Sequence, residues 1–352
     1  MSALYESKSG ERGIVNRVAA KRKIKSLGDR RNSNYDFGAN PCGEIILRPQ
    51  EFCNLTEVII RENDTLDVLL KKVELATILG TFQSTFTRFK YLRKQWQNNC
   101  EEERLLGVSL TGQLGHPVLN GKEGFDKLTL WLDELREHAV AVNKEYAEKL
   151  NIKPAAAITC VKPSGTVSQL VNCSSGMHTW HSQFYARTIR ADVKDPVTDF
   201  LKDMGIKNEP DVMKPNDTVV FTFPIKAPED ALTREDLTAI QHLELWLTYQ
   251  RHWTEHKPSI TISVREDEWM AVGAWVYDHI DELSGISFLP YSDHVYQQAP
   301  YQEISESEYD KLFSDTPVNL DWNWLQNYET SDNTTGSQEL ACVAGACDIT
   351  KV

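Results

Sequence analysis

Cys42 is flanked by residues that could hold its thiol at a fixed point, in the order Asn40-Pro41-Cys42-Gly43-Glu44. Pro41 fixes one backbone angle and Gly43 accepts angles that other residues avoid, so the sequence predicts a tight loop. The loop would place the carboxylate of Glu44 two residues after the thiol and the amide of Asn40 two residues before it. A turn around a buried, inert cysteine is the alternative interpretation, because free cysteine is commonly a small buried hydrophobe.

A second cysteine, Cys53, follows eleven residues after Cys42. A structural zinc site needs a close pair such as C-x2-C and then a second pair, so this spacing does not indicate a metal. The 352-residue chain has seven cysteines, an odd number with uneven spacing, which argues against the disulfide framework of a secreted protein. A reducing cytoplasm is therefore the expected location, where each cysteine is either inert or chemically active.

Two further cysteines, Cys342 and Cys347, lie in the last segment of the chain, residues 331–352, which is rich in Ser, Thr, Asn and Gly. This composition predicts a mobile tail without a core in which two thiols could be buried. Exposed paired thiols at a flexible end are suited to thiol–disulfide exchange at a distance.

A turn rich in small residues, Lys-Pro-Ser-Gly-Thr-Val-Ser at 162–168, follows the apolar run 155–161, which predicts a central strand. If a helix begins there, its free N–H groups and positive dipole end would face an anion, and Gly165 would permit close approach. A generic helix cap is the alternative, and the sequence is not a P-loop. Lys162 could add positive charge or could simply be solvated.

The remaining cysteines indicate no site of their own. Cys160 lies in the apolar run and is predicted to be core, and Cys100 has no chemical neighbour in sequence. Cys173 lies near His178 and His181, but the spacing is not that of a standard metal site. No metal is expected.

Strands alternate with long amphipathic helices along most of the chain, which predicts βαβ units and a parallel sheet, open or closed into a barrel. One helix is expected to be capped at Asp64 or Thr65 and to end near residue 97. The predicted strands are 53–61, 104–112, 155–161, 218–225, 259–264 and 286–291, and the other predicted helices are 10–33, 125–150, 234–256 and 267–283.

The composition excludes several classes of function. The formal net charge of −13 argues against sequence-independent binding of nucleic acid, which needs a positive surface. No run of about 18 apolar residues exists, and the N-terminus lacks the apolar core of a signal peptide, so no membrane association is expected.

Three separated motifs together resemble the catalytic chain of a ribonucleotide reductase. They are NPCGE at 40–44 with a cysteine eleven residues later, VKPSGTVS at 161–168, and the C-x4-C pair at 342–347. Weaker matches are SGERGIVNR at 9–17, SSGMHTWHSQFYARTIR at 174–190 and GISFLPYSDHVYQQAPY at 285–301. The resemblance covers nearly the whole chain.

The resemblance is strongest to the adenosylcobalamin-dependent class. The oxygen-dependent class passes its radical through two adjacent tyrosines, and no Tyr-Tyr pair occurs in this sequence. The anaerobic class ends in a glycyl-radical loop and usually lacks the tail cysteines. Adenosylcobalamin is the cofactor that this resemblance implies, although no cobalamin-binding motif is visible.

The resemblance implies roles for the residues of the first motif. Cys42 would carry a transient thiyl radical and take the 3′-hydrogen of the ribose. Glu44 would accept the 3′-OH proton as general base, and Asn40 would orient the sugar hydroxyls. Cys53 would be one of two thiols that reduce the 2′-position.

The resemblance also implies roles for the tail and the small-residue turn. Cys342 and Cys347 would reduce the disulfide that forms at the active site, and thioredoxin or a similar dithiol protein would reset them. The substrate would be a ribonucleotide, expected to be a triphosphate, whose phosphates bind the loop Pro163, Ser164, Gly165, Thr166, Val167 and Ser168.

The fold implied is α/β, the C-terminal half of the ten-stranded reductase barrel over residues 1–330, with a catalytic finger loop at 38–57 and a redox tail at 331–352. The family's second reducing cysteine lies well upstream of the NPCGE motif, in the first half of the barrel. We therefore expect a split enzyme, in which another polypeptide supplies the N-terminal reductase half.

Three other interpretations remain open at this point. The chain could be a fragment of the large subunit of an oxygen-dependent ribonucleoside-diphosphate reductase. It could be a non-catalytic or regulatory fragment of a reductase. It could also be a plain redox protein that works through Cys342 and Cys347 alone.

Overall fold

The computed structural model of the chain describes residues 2–7, 13–291 and 296–330. These residues divide into two units. The first unit contains Met1–Trp180 and Glu229–Tyr291, and the second contains His181–Pro228 and the residues after Tyr291. The predicted redox tail, with Cys342 and Cys347, lies outside the described residues.

The described part of the chain alternates between strands and helices. The strands are β1 (Gly13–Val15), β2 (Gly38–Ala39), β3 (Ile46–Leu47), β4 (Asn54–Ile59), β5 (Leu106–Thr111), β6 (Thr159–Cys160), β7 (Phe184–Asp192), β8 (Asn208–Pro210), β9 (Thr218–Lys226), β10 (Thr261–Val264), β11 (Gly285–Pro290) and β12 (Tyr301–Glu303). The α-helices are α1 (Ser2–Ser7), α2 (Arg17–Lys25), α3 (Leu66–Gln83), α4 (Lys94–Glu103), α5 (Phe125–Lys149), α6 (Gly165–Leu170), α7 (Pro196–Asp203), α8 (Ala239–His252), α9 (Trp269–Asp278) and α10 (Glu306–Asp315). Short 3-10 helices cover Gly28–Arg30, Gln113–Gly115 and Trp322–Asn327.

The first unit contains the parallel strands that the sequence predicts. β4, β5 and β6 pair in parallel in that order, and β10 pairs in parallel with β11, which β1 joins antiparallel. A parallel bridge between Val161 and Pro258 links β6 to the segment before β10. Within the described residues β4 pairs with β5 alone, so its other edge is open.

Helices cover this sheet because their apolar positions recur at helical spacing. In α3 the side chains of Leu69 and Val73 are fully buried, and the hydroxyl of Thr65 caps the first turn by accepting from the Val68 N–H. α3 and α5 pack against each other over the sheet, and their apolar side chains join one large core with those of β5 and α8. This core fixes the strand ends that position the site.

Several predicted elements are shorter in the structure. The helix expected at 10–33 is one of them, since the described residues there form β1, α2 and a 3-10 helix. The helix expected to reach residue 97 ends at Gln83, because the hydroxyls of Ser84 and Thr85 donate back to the carbonyls of the last turn. The strand predicted at 155–161 is limited to β6. Just before it, the N–H of Ile158 donates to a side-chain carboxylate, that of Glu255, instead of to a strand.

The second unit has a different architecture from the parallel sheet expected around 218–225. Its four strands form an antiparallel sheet in the order β12-β7-β9-β8. The strand β7, FYARTIRAD, was not predicted, because two arginines and an aspartate interrupt its apolar pattern.

None of the described helices combines the length and the apolarity that a bilayer crossing requires.

A buried ion network holds the chain on both sides of the finger loop. The Arg31 guanidinium donates to Glu103 Oε2 at 2.7 Å and to the Ile46 carbonyl of β3 at 2.9 Å. Arg48, also buried, pairs with Glu51 at 3.3 Å. Burial, followed by the charge of Glu103, raises the pKa of Glu51 to about 8. The network ties β3 to α4.

We predict that Arg31→Met lowers the free energy of unfolding by about 3–5 kcal/mol, because the buried Glu103 carboxylate would lose the guanidinium that lies 2.7 Å from its Oε2 atom. Arg17→Met is the matched control, since Arg17 pairs with Asp36 on the surface and its loss should cost about 0–1 kcal/mol. Urea denaturation of both variants measures the difference. Equal losses would show that the network does not stabilise the fold.

Candidate active site

The finger loop is a short hairpin whose tip carries Cys42. β2 and β3 pair antiparallel, and the Oδ1 atom of Asn40 accepts the N–H of Ile45 at 3.0 Å, which closes the tip. Gly43 has a φ of +80° and donates its N–H to the Asn40 carbonyl at 2.9 Å. The tight turn predicted from Pro41 and Gly43 is present. The side-chain oxygen of Asn40 is engaged in the turn itself.

Contacts from two distant segments fix the tip of the loop. The Cys42 side chain is exposed, and the Cys42 carbonyl accepts the hydroxyl of Ser259 at 2.6 Å. The Lys162 ammonium lies 3.6 Å from Cys42 Sγ. The thiol is therefore presented to solvent while its main chain is held in place.

Glu44 differs from Cys42 in that its side chain is fully buried. Both carboxylate oxygens lack a hydrogen-bond donor within the described residues. Lys162 Nζ lies 3.8 Å from Glu44 Oε1, and the Lys257 N–H donates to the Glu44 carbonyl at 3.2 Å. The Lys162 ammonium thus lies near the Glu44 carboxylate without donating a hydrogen bond to it.

Cys53 lies at the start of β4, against β5. A Cβ atom added to Gly107 would be 3.2 Å from Cys53 Sγ and 2.5 Å from the Leu55 side chain, so a larger residue there would displace these side chains. Burial, followed by the charge of Glu44, raises the pKa of the Cys53 thiol well above its usual range. A cavity of about 570 Å³ beside the loop is lined by Cys53, Asn40 and other residues of the hairpin.

Cys160 lies on β6 and is fully buried, as its apolar context predicts. Its carbonyl accepts the indole N–H of Trp253 at 2.7 Å. Burial, followed by the charges of Cys53 and Glu44, raises the pKa of the Cys160 thiol well above its usual range.

The small-residue turn at 163–168 begins α6, a helix of six residues. Gly165, Thr166 and Val167 are exposed, whereas Ser164 and Ser168 are buried. A Cβ on Gly165 would meet no atom within 4 Å, so its backbone is open to a ligand. Pro163 directly follows Lys162, and this turn therefore adjoins the residue that contacts both Cys42 and Glu44.

Sequence reasoning missed two neighbours of the loop, Lys257 and Ser259. Both lie just before β10, more than 200 residues after the loop, and no local pattern connects these segments. Lys162 was noted as a possible charge, and the structure places its ammonium against the loop. In the described ranges no group of three His, Cys, Asp or Glu side chains could hold a metal.

A pH dependence of stability follows from Lys257, whose side chain is buried. Burial lowers the pKa of Lys257 to about 8, against the opposing charge of Glu44. Between about pH 8 and pH 10.5 the unfolded chain holds the lysine proton and the folded chain releases it. Wild-type stability relative to Lys257→Met should therefore rise with pH across this window, by about 3 kcal/mol in total.

Urea denaturation at intervals from pH 7 to pH 10.5 measures this difference. Lys144→Met is the control, since Lys144 is exposed on α5 and should give no such slope. A stability difference between wild type and Lys257→Met that stays constant with pH would contradict the assignment.

Comparison with known proteins gives one consistent result. No family model matches the chain. Proteins named adenosylcobalamin-dependent ribonucleoside-triphosphate reductase are similar to it: that of Lactobacillus gasseri is 29% identical and covers 97% of this chain, and that of Lactobacillus helveticus is 28% identical with the same coverage. The relative from Euglena gracilis is 29% identical over 78% of the chain. The chain spans about half the length of the curated relatives it matches, 49% in the two Lactobacillus proteins.

Solved structures give the same fold. The crystal structure of a B12-dependent, class II ribonucleotide reductase matches with a TM-score of 0.77 at 23% identity, over 93% of this chain and 49% of that one. The alpha subunit of a class Id reductase from Actinobacillus ureae matches with a TM-score of 0.54 at 13% identity, over 82% of this chain and 60% of that one. The α/β fold is confirmed, and the predicted resemblance to adenosylcobalamin-dependent ribonucleotide reductases is confirmed along nearly the whole chain.

Proposed function

We propose that the chain carries the catalytic loop of a ribonucleotide reductase that converts ribonucleotides to 2′-deoxyribonucleotides by a thiyl-radical mechanism. The observation that carries the proposal is the arrangement at the loop tip. An exposed thiol, Cys42, lies beside a buried carboxylate, Glu44, and both contact one lysine, Lys162. Named relatives along 97% of the chain support the same reaction.

The first chemical steps use the loop tip. Cys42, as a thiyl radical, would take the 3′-hydrogen of the ribose, and Glu44 would accept the 3′-OH proton. Glu44 suits this role because its oxygens have no competing donor among the described residues. Asn40 would orient the sugar hydroxyls through its amide N–H groups, since its oxygen is engaged in the turn.

Adenosylcobalamin, when bound, would supply the radical chemistry that activates Cys42. The exposed position of the Cys42 side chain fits a group that must reach the thiol from outside the loop. The printed names of the relatives support this cofactor.

Reduction at the 2′-position needs two thiols. Cys53 and a second thiol would form a disulfide and release two electrons and two protons. One proton would join the 2′-hydroxyl, which leaves as water, and the two electrons and the other proton would form the new C2′–H bond. The resemblance assigns the second thiol to the other half of the reductase. The open edge of β4, which begins directly after Cys53, supports the addition of further strands at this point.

The substrate, the reductant and the partner complete the proposal. The relatives' names support a ribonucleoside triphosphate, whose phosphates would bind the exposed backbone of residues 163–168. Cys342 and Cys347 would regenerate the active-site thiols with a thioredoxin-type reductant. The N-terminal half of the reductase barrel would complete the site, and the cytoplasm would be the location.

We predict that Cys42→Ala lowers deoxynucleotide formation by about 10³-fold or more, because it removes the atom that attacks the ribose. The assay would combine the chain with the N-terminal half of the reductase, a ribonucleoside triphosphate, adenosylcobalamin and a dithiol. Cys100→Ser is the matched control, since Cys100 is buried on α4, and it should retain the wild-type rate.

Retention of deoxynucleotide formation in Cys42→Ala would contradict the assigned role of the loop. Full turnover by residues 1–352 alone would contradict the need for the N-terminal half of the barrel. Loss of turnover in Cys42→Ala with retained disulfide exchange would separate the reductase from a plain redox protein.

A further inference from the structure

Lys162 contacts both reactive groups of the loop tip, although it belongs to a segment 120 residues away in sequence. Its ammonium lies 3.6 Å from Cys42 Sγ and 3.8 Å from Glu44 Oε1. The Lys162 N–H donates to the Ser109 hydroxyl of β5 at 2.8 Å, which anchors its main chain to the central sheet. A flexible side chain on a fixed base can bridge the thiol and the carboxylate.

The Glu44 carboxylate gives an independent reason for this bridge. It is fully buried and has no hydrogen-bond donor within the described residues. A buried carboxylate destabilises the fold unless a cation lies near it. The Lys162 ammonium, 3.8 Å from Oε1, therefore favours a Glu44 side chain that points toward it. Because the same ammonium also lies near Cys42 Sγ, it keeps the thiol and the Glu44 carboxylate close to each other.

Lys257 is a second cation near Glu44, and the charge of Glu44 acts on its buried ammonium. Its N–H donates to the Glu44 carbonyl at 3.2 Å, and its Nζ atom would lie 3.8 Å from a Cβ on Gly43. Gly285 leaves the space that this ammonium occupies, since a Cβ there would be 2.2 Å from Nζ. Loss of Lys162 alone would therefore leave Glu44 with one neighbouring cation.

We propose that Lys162 is a positioning residue for catalysis, which holds the Cys42 thiol and the Glu44 carboxylate in one reactive arrangement through its ammonium group. The proposal rests on the proposed function, because it assigns Lys162 a part in that reaction. In this role Lys162 acts on the thiol and the carboxylate. Its place beside the turn at 163–168 would otherwise indicate that it binds phosphate.

The two roles differ in what they change. A phosphate ligand contributes to substrate binding in the ground and transition states alike, so its loss raises KM. A residue that aligns the thiol and the base acts on the chemical step, so its loss lowers kcat. Loss of a purely structural lysine would lower the stability of the fold and would not change kcat or KM selectively.

The first test needs only this chain and no nucleotide. Iodoacetamide alkylates the sulfur directly, so its rate at Cys42 reports on the Lys162 ammonium that lies 3.6 Å from Sγ. Lys162→Met should slow alkylation of Cys42 at pH 8 by about threefold or more, and Lys162→Arg should retain most of the rate. Peptide mass spectrometry that separates Cys42 from Cys53 measures the rate. Lys144→Met, on the exposed face of α5, is the matched control and should react as the wild type does.

The second test uses the reconstituted reductase. Lys162→Met should lower kcat by about tenfold to a hundredfold with little change in KM for the nucleotide, and Lys162→Arg should restore part of kcat. Thermal denaturation followed by circular dichroism checks that each variant is folded. A variant that fails this check is replaced by Lys162→Gln in both tests.

Two outcomes would overturn the proposal. One is alkylation of Cys42 at the wild-type rate in a folded Lys162→Met chain. The other is a raised KM with unchanged kcat, which would make Lys162 a phosphate ligand. If the wild-type reductase forms no deoxynucleotide, the proposed function fails, whereas the alkylation rates still decide whether Lys162 acts on Cys42.

Discussion

The burial of the Glu44 carboxylate is the constraint on which the site depends. A carboxylate removed from water must have its charge balanced, and the side chains near it that can do so come from two other segments of the first unit. Lys162 follows β6 and Lys257 precedes β10, so the loop tip is held where these segments meet. The contacts that keep Glu44 out of water also hold Cys42 beside it. The packing of the sheet therefore also sets the geometry of the reactive loop.

A second set of buried charges supports the loop from its base. Arg31 and Arg48 bind Glu51 and Glu103, so the chain before and after the hairpin is fixed to α4. A reactive loop benefits from such support because small displacements of a reacting atom have large effects on rate. The exposed thiol of Cys42 thus sits on a rigid hairpin that charges hold at the tip and at the base.

Local patterns were enough to predict the parts of the site that are continuous in sequence. Pro41 and Gly43 predicted the turn of the finger loop. The apolar run before Lys162 predicted the strand that leads to the small-residue turn at 163–168. The contribution of Lys257 depends on a contact across more than 200 residues, which periodicity and turn chemistry do not encode. The antiparallel sheet of the second unit was missed for a related reason, since the charged residues of β7 hide its alternation.

The role proposed for Cys42 is to take the ribose 3′-hydrogen in a reductase that also contains the N-terminal half of the barrel. Turnover of a ribonucleoside triphosphate deuterated at C3′ tests it most directly, with the C4′-deuterated nucleotide as control. We expect a primary isotope effect on kcat/KM for the C3′ label and none for the C4′ label. Deoxynucleotide formation with no isotope effect from the C3′ label, or with an equal effect from both labels, would contradict it.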